Sequence, residues 1–127
     1  MWLKGAGGLG KTQWSQFMEA KFNWVYRSVG EGQYADILYA IKPYHRLILF
    51  DIGRSNFKDN WLNKTYFYSI LENVKNGNFE STKYVPEKRV LNTTPHVVVM
   101  ANEWPVLDNL SLDRWLLWEL VEKEQPQ

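Results

Sequence analysis

The residues best suited to chemistry come early in the chain. Gly5-Ala6-Gly7-Gly8-Leu9-Gly10-Lys11-Thr12 fits the spacing G-x-x-x-x-G-K-[ST]. Each residue type has a physical role in binding phosphate. Gly5, Gly7, Gly8 and Gly10 let backbone N–H groups turn inward and form a nest for an anion. A helix starting at the end of the loop would point its N-terminus at the same anion. Lys11 would reach the β- and γ-phosphates of a nucleotide such as ATP, and the Thr12 hydroxyl would hold Mg²⁺. A Gly-rich surface turn would have a similar composition, but chance produces this full pattern in a chain of this length only about once in a few hundred.

A phosphate loop needs an acid nearby to hold the metal. The run Leu47-Ile48-Leu49-Phe50 is continuously apolar, as a strand buried on both faces would be, and ends in Asp51. Asp51 would lie at the carboxyl edge of a sheet, where α/β folds bind ligands. Ile52 follows it, where many ATPases of this type carry a second acid to activate water, so a base must come from elsewhere. Glu72 is one candidate, and an ordinary solvated helix residue would read the same way. A further apolar run, 97–101, ends in Asn102. If that strand sits between the Asp51 strand and the phosphate loop, Asn102 could orient the attacking water or sense the γ-phosphate. A turn asparagine just before Pro105 is the plainer alternative, and the stronger one for the residue taken alone.

Positioning these groups requires strands alternating with helices. Residues 1–4 read as the stub of a strand and 5–10 as a loop. From Thr12, the spacing of Trp14, Phe17, Met18 and Phe22 predicts a helix. Residues 29–32 break that pattern, and 34–41 fit a short helix closed by Pro43. A long helix is predicted over 60–75, with Asn76-Gly77 as its C-cap. The Lys- and Arg-rich stretch 79–91 alternates like a hairpin. Residues 115–121 fit a third buried strand or a helix end. Together these elements predict an α/β domain with a mostly parallel sheet.

Composition limits the alternatives. In 127 residues, 45% hydrophobic and 23% charged with a net charge of +1, there is room for one globular domain. Disorder and a strongly basic nucleic-acid arm are excluded, although a local basic patch is not. The absence of Cys rules out disulfides, zinc-thiolate sites and cysteine nucleophiles. His45 and His96 are the two histidines, leaving little for a histidine metal site. No apolar run approaches membrane-spanning length, and no signal-peptide pattern opens the chain. Residues 1–121 form the expected domain, and 122–127 a polar tail expected to fray. Aromatic residues, at 16%, are unusually frequent.

In order, the segments Phe50-Asp51-Ile52-Gly53-Arg54-Ser55, Glu72-Asn73-Val74-Lys75-Asn76-Gly77, Ser81-Thr82-Lys83-Tyr84, Pro95-His96-Val97-Val98-Val99-Met100-Ala101-Asn102 and Leu110-Ser111-Leu112-Asp113-Arg114-Trp115 resemble the superfamily-3 helicase domain of replication-initiator (Rep) proteins. These proteins come from small circular single-stranded DNA viruses, satellites and plasmids; the likeness is to nanovirus, alphasatellite and circovirus types. It covers nearly the whole chain and implies a three-layer P-loop NTPase fold of AAA+-like type, here with a truncated first strand. It also implies roles: Gly10, Lys11 and Thr12 in the phosphate loop, Asp51 on Mg²⁺, Asn102 at the γ-phosphate. Lys83 would contact single-stranded DNA in the pore of a homo-oligomeric ring, a hexamer. Arg114 would be an arginine finger acting on the neighbouring subunit's site, although pairing with Asp108 or Asp113 is the structural alternative.

Two departures from the family stand out. Gly53 replaces a common Pro, and nothing corresponds to the family's nicking endonuclease with its paired histidines and catalytic Tyr. Nicking is therefore not expected of these residues, and a fragment, truncated frame or remnant is. The expected activity is ATP-dependent unwinding or translocation on single-stranded DNA in the host nucleus. The alternative is a degenerate P-loop remnant that binds nucleotide or mediates assembly. A small P-loop kinase would need an Arg-rich lid, and Arg54 and Arg89 are too few and too scattered for one. The aromatic residues belong chiefly to core and subunit interface, with base stacking by Tyr84 or Phe79 the lesser alternative.

Overall fold

The structure, a computed structural model, describes residues 1–5, 10–28, 34–52, 61–81, 87–105 and 112–121, with the backbone alone at 34–35, 61–66, 81, 87 and 112. The elements run β1 (Trp2–Gly5), α1 (Lys11–Lys21), β2 (Val25–Ser28), α2 (Tyr34–Ala40), β3 (Leu47–Asp51), α3 (Trp61–Asn76), β4 (Asn78–Ser81), β5 (Glu87–Val90), β6 (His96–Ala101), a 3-10 turn (Leu112–Arg114) and β7 (Leu117–Leu120). Five strands form one sheet in the order β2-β3-β6-β1-β7, and every neighbouring pair is parallel. β4 and β5 form a separate antiparallel ribbon, the hairpin expected from the 79–91 alternation.

Side chains alternate across a strand, so the sheet has two apolar faces. Trp2, Ile48, Phe50, Val97, Val99 and Ala101 pack with Leu38 and Ile41 from the α2 side and Leu71 and Val74 of α3. On the other face Val25, Leu49, Val98 and Met100 pack with Met18 and Phe22 from the α1 side. The result is three layers, with the continuously apolar strands β3 and β6 in the middle. Gly77, at φ 71°, closes α3 in the left-handed conformation expected of a C-cap. Gly10, at φ 88°, precedes α1 in the same conformation, and its carbonyl accepts from the Trp14 N–H at 2.9 Å. β1, expected as a stub, is four residues long, as are β2 and β7, and it is paired on both sides.

Three elements differ from expectation. β2 was not foreseen: Trp24-Val25-Tyr26-Arg27 is too short to show periodicity, and the strand exists because β3 pairs with it. Residues 117–120 form a strand, but an exposed one rather than a buried one, because β7 is the last strand of the sheet and has only β1 beside it. In α1 the apolar spacing marked a helix but not its buried face. Trp14 and Phe17 are 43% and 54% exposed, while Ser15 is fully buried.

Trp2 anchors one layer. It is 1% exposed, stacks on Tyr68 with ring centroids 6.1 Å apart, and donates its indole N–H to the Glu103 carbonyl at 3.0 Å. Trp2→Ala should cost about 3–5 kcal/mol, whereas Trp118→Ala on exposed β7 should stay within about 0.5 kcal/mol. Denaturant unfolding measures both, and equal losses would contradict the described exposure. His45, in the turn before β3, is buried against Tyr26 and Tyr44, and its Nδ1 accepts the Lys42 backbone N–H at 2.9 Å. Burial, and then the Lys42 charge, push its pKa below the usual 6.5. The unfolded chain therefore takes up a proton that the folded one refuses, so this contribution to stability is lost as pH falls through 6.5. In melts across about pH 5 to 8, wild type should lose more stability toward acid than His45→Asn does.

Candidate functional site

Three strand ends meet at the carboxyl edge of the sheet. β6 lies between β3 and β1, with Asp51 opposite Met100 and Lys4 opposite Ala101. Asp51, Asn102 and Gly5 therefore line one edge, and the strand between β3 and β1 is the one that leads into Asn102, as expected. Lys11 opens α1, and its ammonium donates to the Gly5 carbonyl at 2.6 Å. Gly5 has little room for a side chain: a Cβ there would stand 3.2 Å from Lys11 Nζ and 3.1 Å from Leu120 Cβ. Burial lowers the pKa of Lys11, and the charge of Asp51 acts against that shift. Lys11 and Asp51 are thus within electrostatic reach of each other.

The helix start is built around a polar contact. The buried Ser15 hydroxyl donates to the Thr12 carbonyl at 2.8 Å and accepts from Arg27 Nε at 2.8 Å. Arg27 Nη2 then meets Asp51 Oδ2 at 2.8 Å, with side chains 13% and 11% exposed. Neither Arg27 nor Ser15 was singled out from the sequence. The available signal was a charged residue interrupting Trp24-Val25-Tyr26, but it has no meaning until β2 is placed beside β3. Thr12 itself is exposed.

Other expected residues lie elsewhere. Arg114 pairs with Glu72 at 3.3 Å and donates to Asn76 at 2.9 Å, and its carbonyl accepts from the Lys75 ammonium. Its partners among the described residues are thus on α3 rather than Asp113, and Asp108 falls outside the described residues. Glu72, the candidate base, uses one oxygen on Arg114, while Oε1 is buried without a hydrogen-bond partner among the described residues. Burial, and then the Arg114 charge, lower the pKa of Lys75, which also lies 4.4 Å over the Trp115 ring. Phe79 is buried in the core, which leaves its ring no free face for a base. Arg89 is buried 5.8 Å from the Tyr39 ring. Gly7, Gly8, Arg54, Lys83 and Tyr84 fall outside the described residues. Among the described residues no cluster of three His, Cys, Asp or Glu could hold a metal alone, and no helix is long and apolar enough to cross a membrane.

The chain is 31% identical over 118 residues to Para-Rep C2 of Subterranean clover stunt C2 alphasatellite, covering 92% of this chain and 39% of that protein. It is similar to replication (Rep) proteins of alphasatellites and of a virus. Para-Rep C9 of Faba bean necrotic yellows C9 alphasatellite is 31% identical over 115 residues, covering 90% of this chain and 38% of that protein. The Master replication protein of Banana bunchy top virus is 34% identical over 115 residues, covering 90% of this chain and 37% of that protein. The chain thus spans about two-fifths of the length of these relatives. No protein-family model matches it.

The Arg114–Glu72 pair is exposed enough for solvent to screen it. A double-mutant cycle of Arg114→Ala and Glu72→Gln, read by chemical unfolding, should give a coupling below about 1 kcal/mol. A larger coupling would mean that Arg114 is held firmly against α3.

Proposed function

We propose that the chain is a P-loop ATPase module that drives helicase or translocase action on single-stranded DNA during rolling-circle replication of a small circular genome in the host nucleus. The observation that carries this reading is the convergence of Lys11, Asp51 and Asn102 on one sheet edge, with β6 between the two motif strands. The similarity to replication proteins over nine-tenths of the chain supports it.

The residues present fit ATP and Mg²⁺. Lys11 is a partly desolvated cation that donates to a backbone carbonyl within electrostatic reach of Asp51, and a phosphate would offer it a charged acceptor. A hydroxyl (Thr12) and a carboxylate (Asp51) are hard oxygen donors suited to Mg²⁺, which generally takes its remaining ligands from water and phosphate. Bound Mg-ATP supplies a phosphoryl group whose transfer needs in-line attack by water and neutralisation of charge. Lys11 would turn from the Gly5 carbonyl toward the β- and γ-phosphates. Gly5, Gly7, Gly8 and Gly10 would cradle the phosphates with backbone N–H groups. Asn102 would orient the water or sense the γ-phosphate. Arg114 would leave Glu72 and Asn76 to enter the neighbouring subunit's site in a hexameric ring, and Lys83 would hold the DNA backbone.

One observation favours the second reading, a module that binds nucleotide or mediates assembly without turnover: Asp51 already holds a cation, Arg27. Steady-state ATP hydrolysis with and without single-stranded DNA decides between them. The expected result is DNA-stimulated hydrolysis that Lys11→Ala lowers by about a hundredfold or more, with a ring-sized mass in ATP and Mg²⁺. Wild-type activity equal to that of Lys11→Ala would sink the catalytic reading, and a monomer under all conditions would sink the ring.

A further inference from the structure

Arg27 is a charged group beside Asp51 that the proposed mechanism leaves unused. It stands opposite Leu49 in the β2–β3 ladder, and two-residue alternation puts it on the same face as Val25, with Asp51 on the same face as Leu49. That is the α1 face, formed by Val25, Leu49, Val98 and Met100 with Met18 and Phe22. Within this apolar layer the guanidinium joins two elements, with Nη2 on Asp51 and Nε on Ser15, whose hydroxyl caps the Thr12 carbonyl. Asp51 and the backbone of Thr12, the two residues proposed to hold Mg²⁺, are thus linked through two side chains, Arg27 and Ser15.

We infer that Arg27 is a tethered counter-cation that occupies Asp51 when no divalent cation is bound and competes with that cation for the carboxylate. This inference rests on the metal role proposed for Asp51. Its basis is electrostatic. A largely buried carboxylate without a partner is costly, so the metal-free protein needs a positive charge there. The same charge, close to an incoming divalent cation and poorly screened, opposes its binding. Ser15 sets the strength of the competition by holding Nε and keeping the guanidinium aimed at Asp51. Arg27 is therefore a positioning residue that tunes the magnesium requirement of the site.

The test is thermal melting of the full chain in ADP as magnesium is titrated, for wild type, Arg27→Gln, Arg27→Lys and Ser15→Ala. Without metal, Arg27→Gln should melt lower by roughly 4 °C or more. Its half-saturating magnesium concentration should fall at least about threefold below that of wild type. Arg27→Lys, which keeps the charge, should return the magnesium requirement to within about twofold of wild type. Ser15→Ala removes no charge and should also lower the requirement, so it serves if Arg27→Gln does not fold. A lower melting temperature with an equal or higher magnesium requirement would overturn the inference and leave an ordinary structural ion pair. Absence of any magnesium- and ADP-dependent rise in wild type would overturn the metal reading of Asp51 and this inference with it.

Discussion

β6 is the strand on which the rest of the molecule depends. Five of its six residues are buried, and it is hydrogen-bonded to β1 on one side and β3 on the other. A parallel strand covered on both faces cannot shift by one residue without moving its whole apolar set to the wrong layer. The register is therefore fixed: Phe50 opposite Val99, Asp51 opposite Met100, Trp2 also opposite Val99. Everything at the carboxyl edge follows from that alignment, because Gly5, Asp51 and Asn102 are each where their strand stops. These candidate site residues thus lie at the ends of strands paired on both sides, while α1 supplies Lys11.

The charges at that edge are linked to the backbone and to one another. Arg27 holds Asp51, and Lys11 rests on a backbone carbonyl. Among the described residues two cations, Arg27 and Lys11, lie within electrostatic reach of one carboxylate, and partial burial strengthens those interactions.

The abundance of aromatic residues has two explanations in the structure. Trp2, Phe50, Tyr68, Phe79 and Trp115 are core residues that fill wide gaps between sheet and helices. Trp14, Phe17, Tyr44, Trp104 and Trp118 are exposed instead, and Lys4 and Lys21 lie over the Trp104 and Phe17 rings at 5.4 and 5.3 Å. Such contacts shield part of an exposed ring while leaving the ammonium hydrated.

The sequence by itself determined what local spacing can encode. The G-x-x-x-x-G-K-[ST] pattern is contiguous, so Gly5, Gly10, Lys11 and Thr12 could be read directly as a candidate phosphate loop. β3 and β6 are short, continuously apolar runs ending in a polar residue, and Asp51 and Asn102 stand where those runs end. The turn at Gly77, the long helix and the hairpin were legible for the same reason. Tertiary structure decided which surfaces face each other. β2 has no pattern of its own and exists through pairing with β3. That pairing brings Arg27 to Asp51, 24 residues away, and selects Ser15 rather than Trp14 or Phe17 for the buried side of α1. It likewise placed Arg114 on α3, 42 residues from Glu72, and left β7 exposed at the sheet's edge. Periodicity reports the geometry of one segment, whereas the order of strands is set by covering both faces of the whole sheet at once.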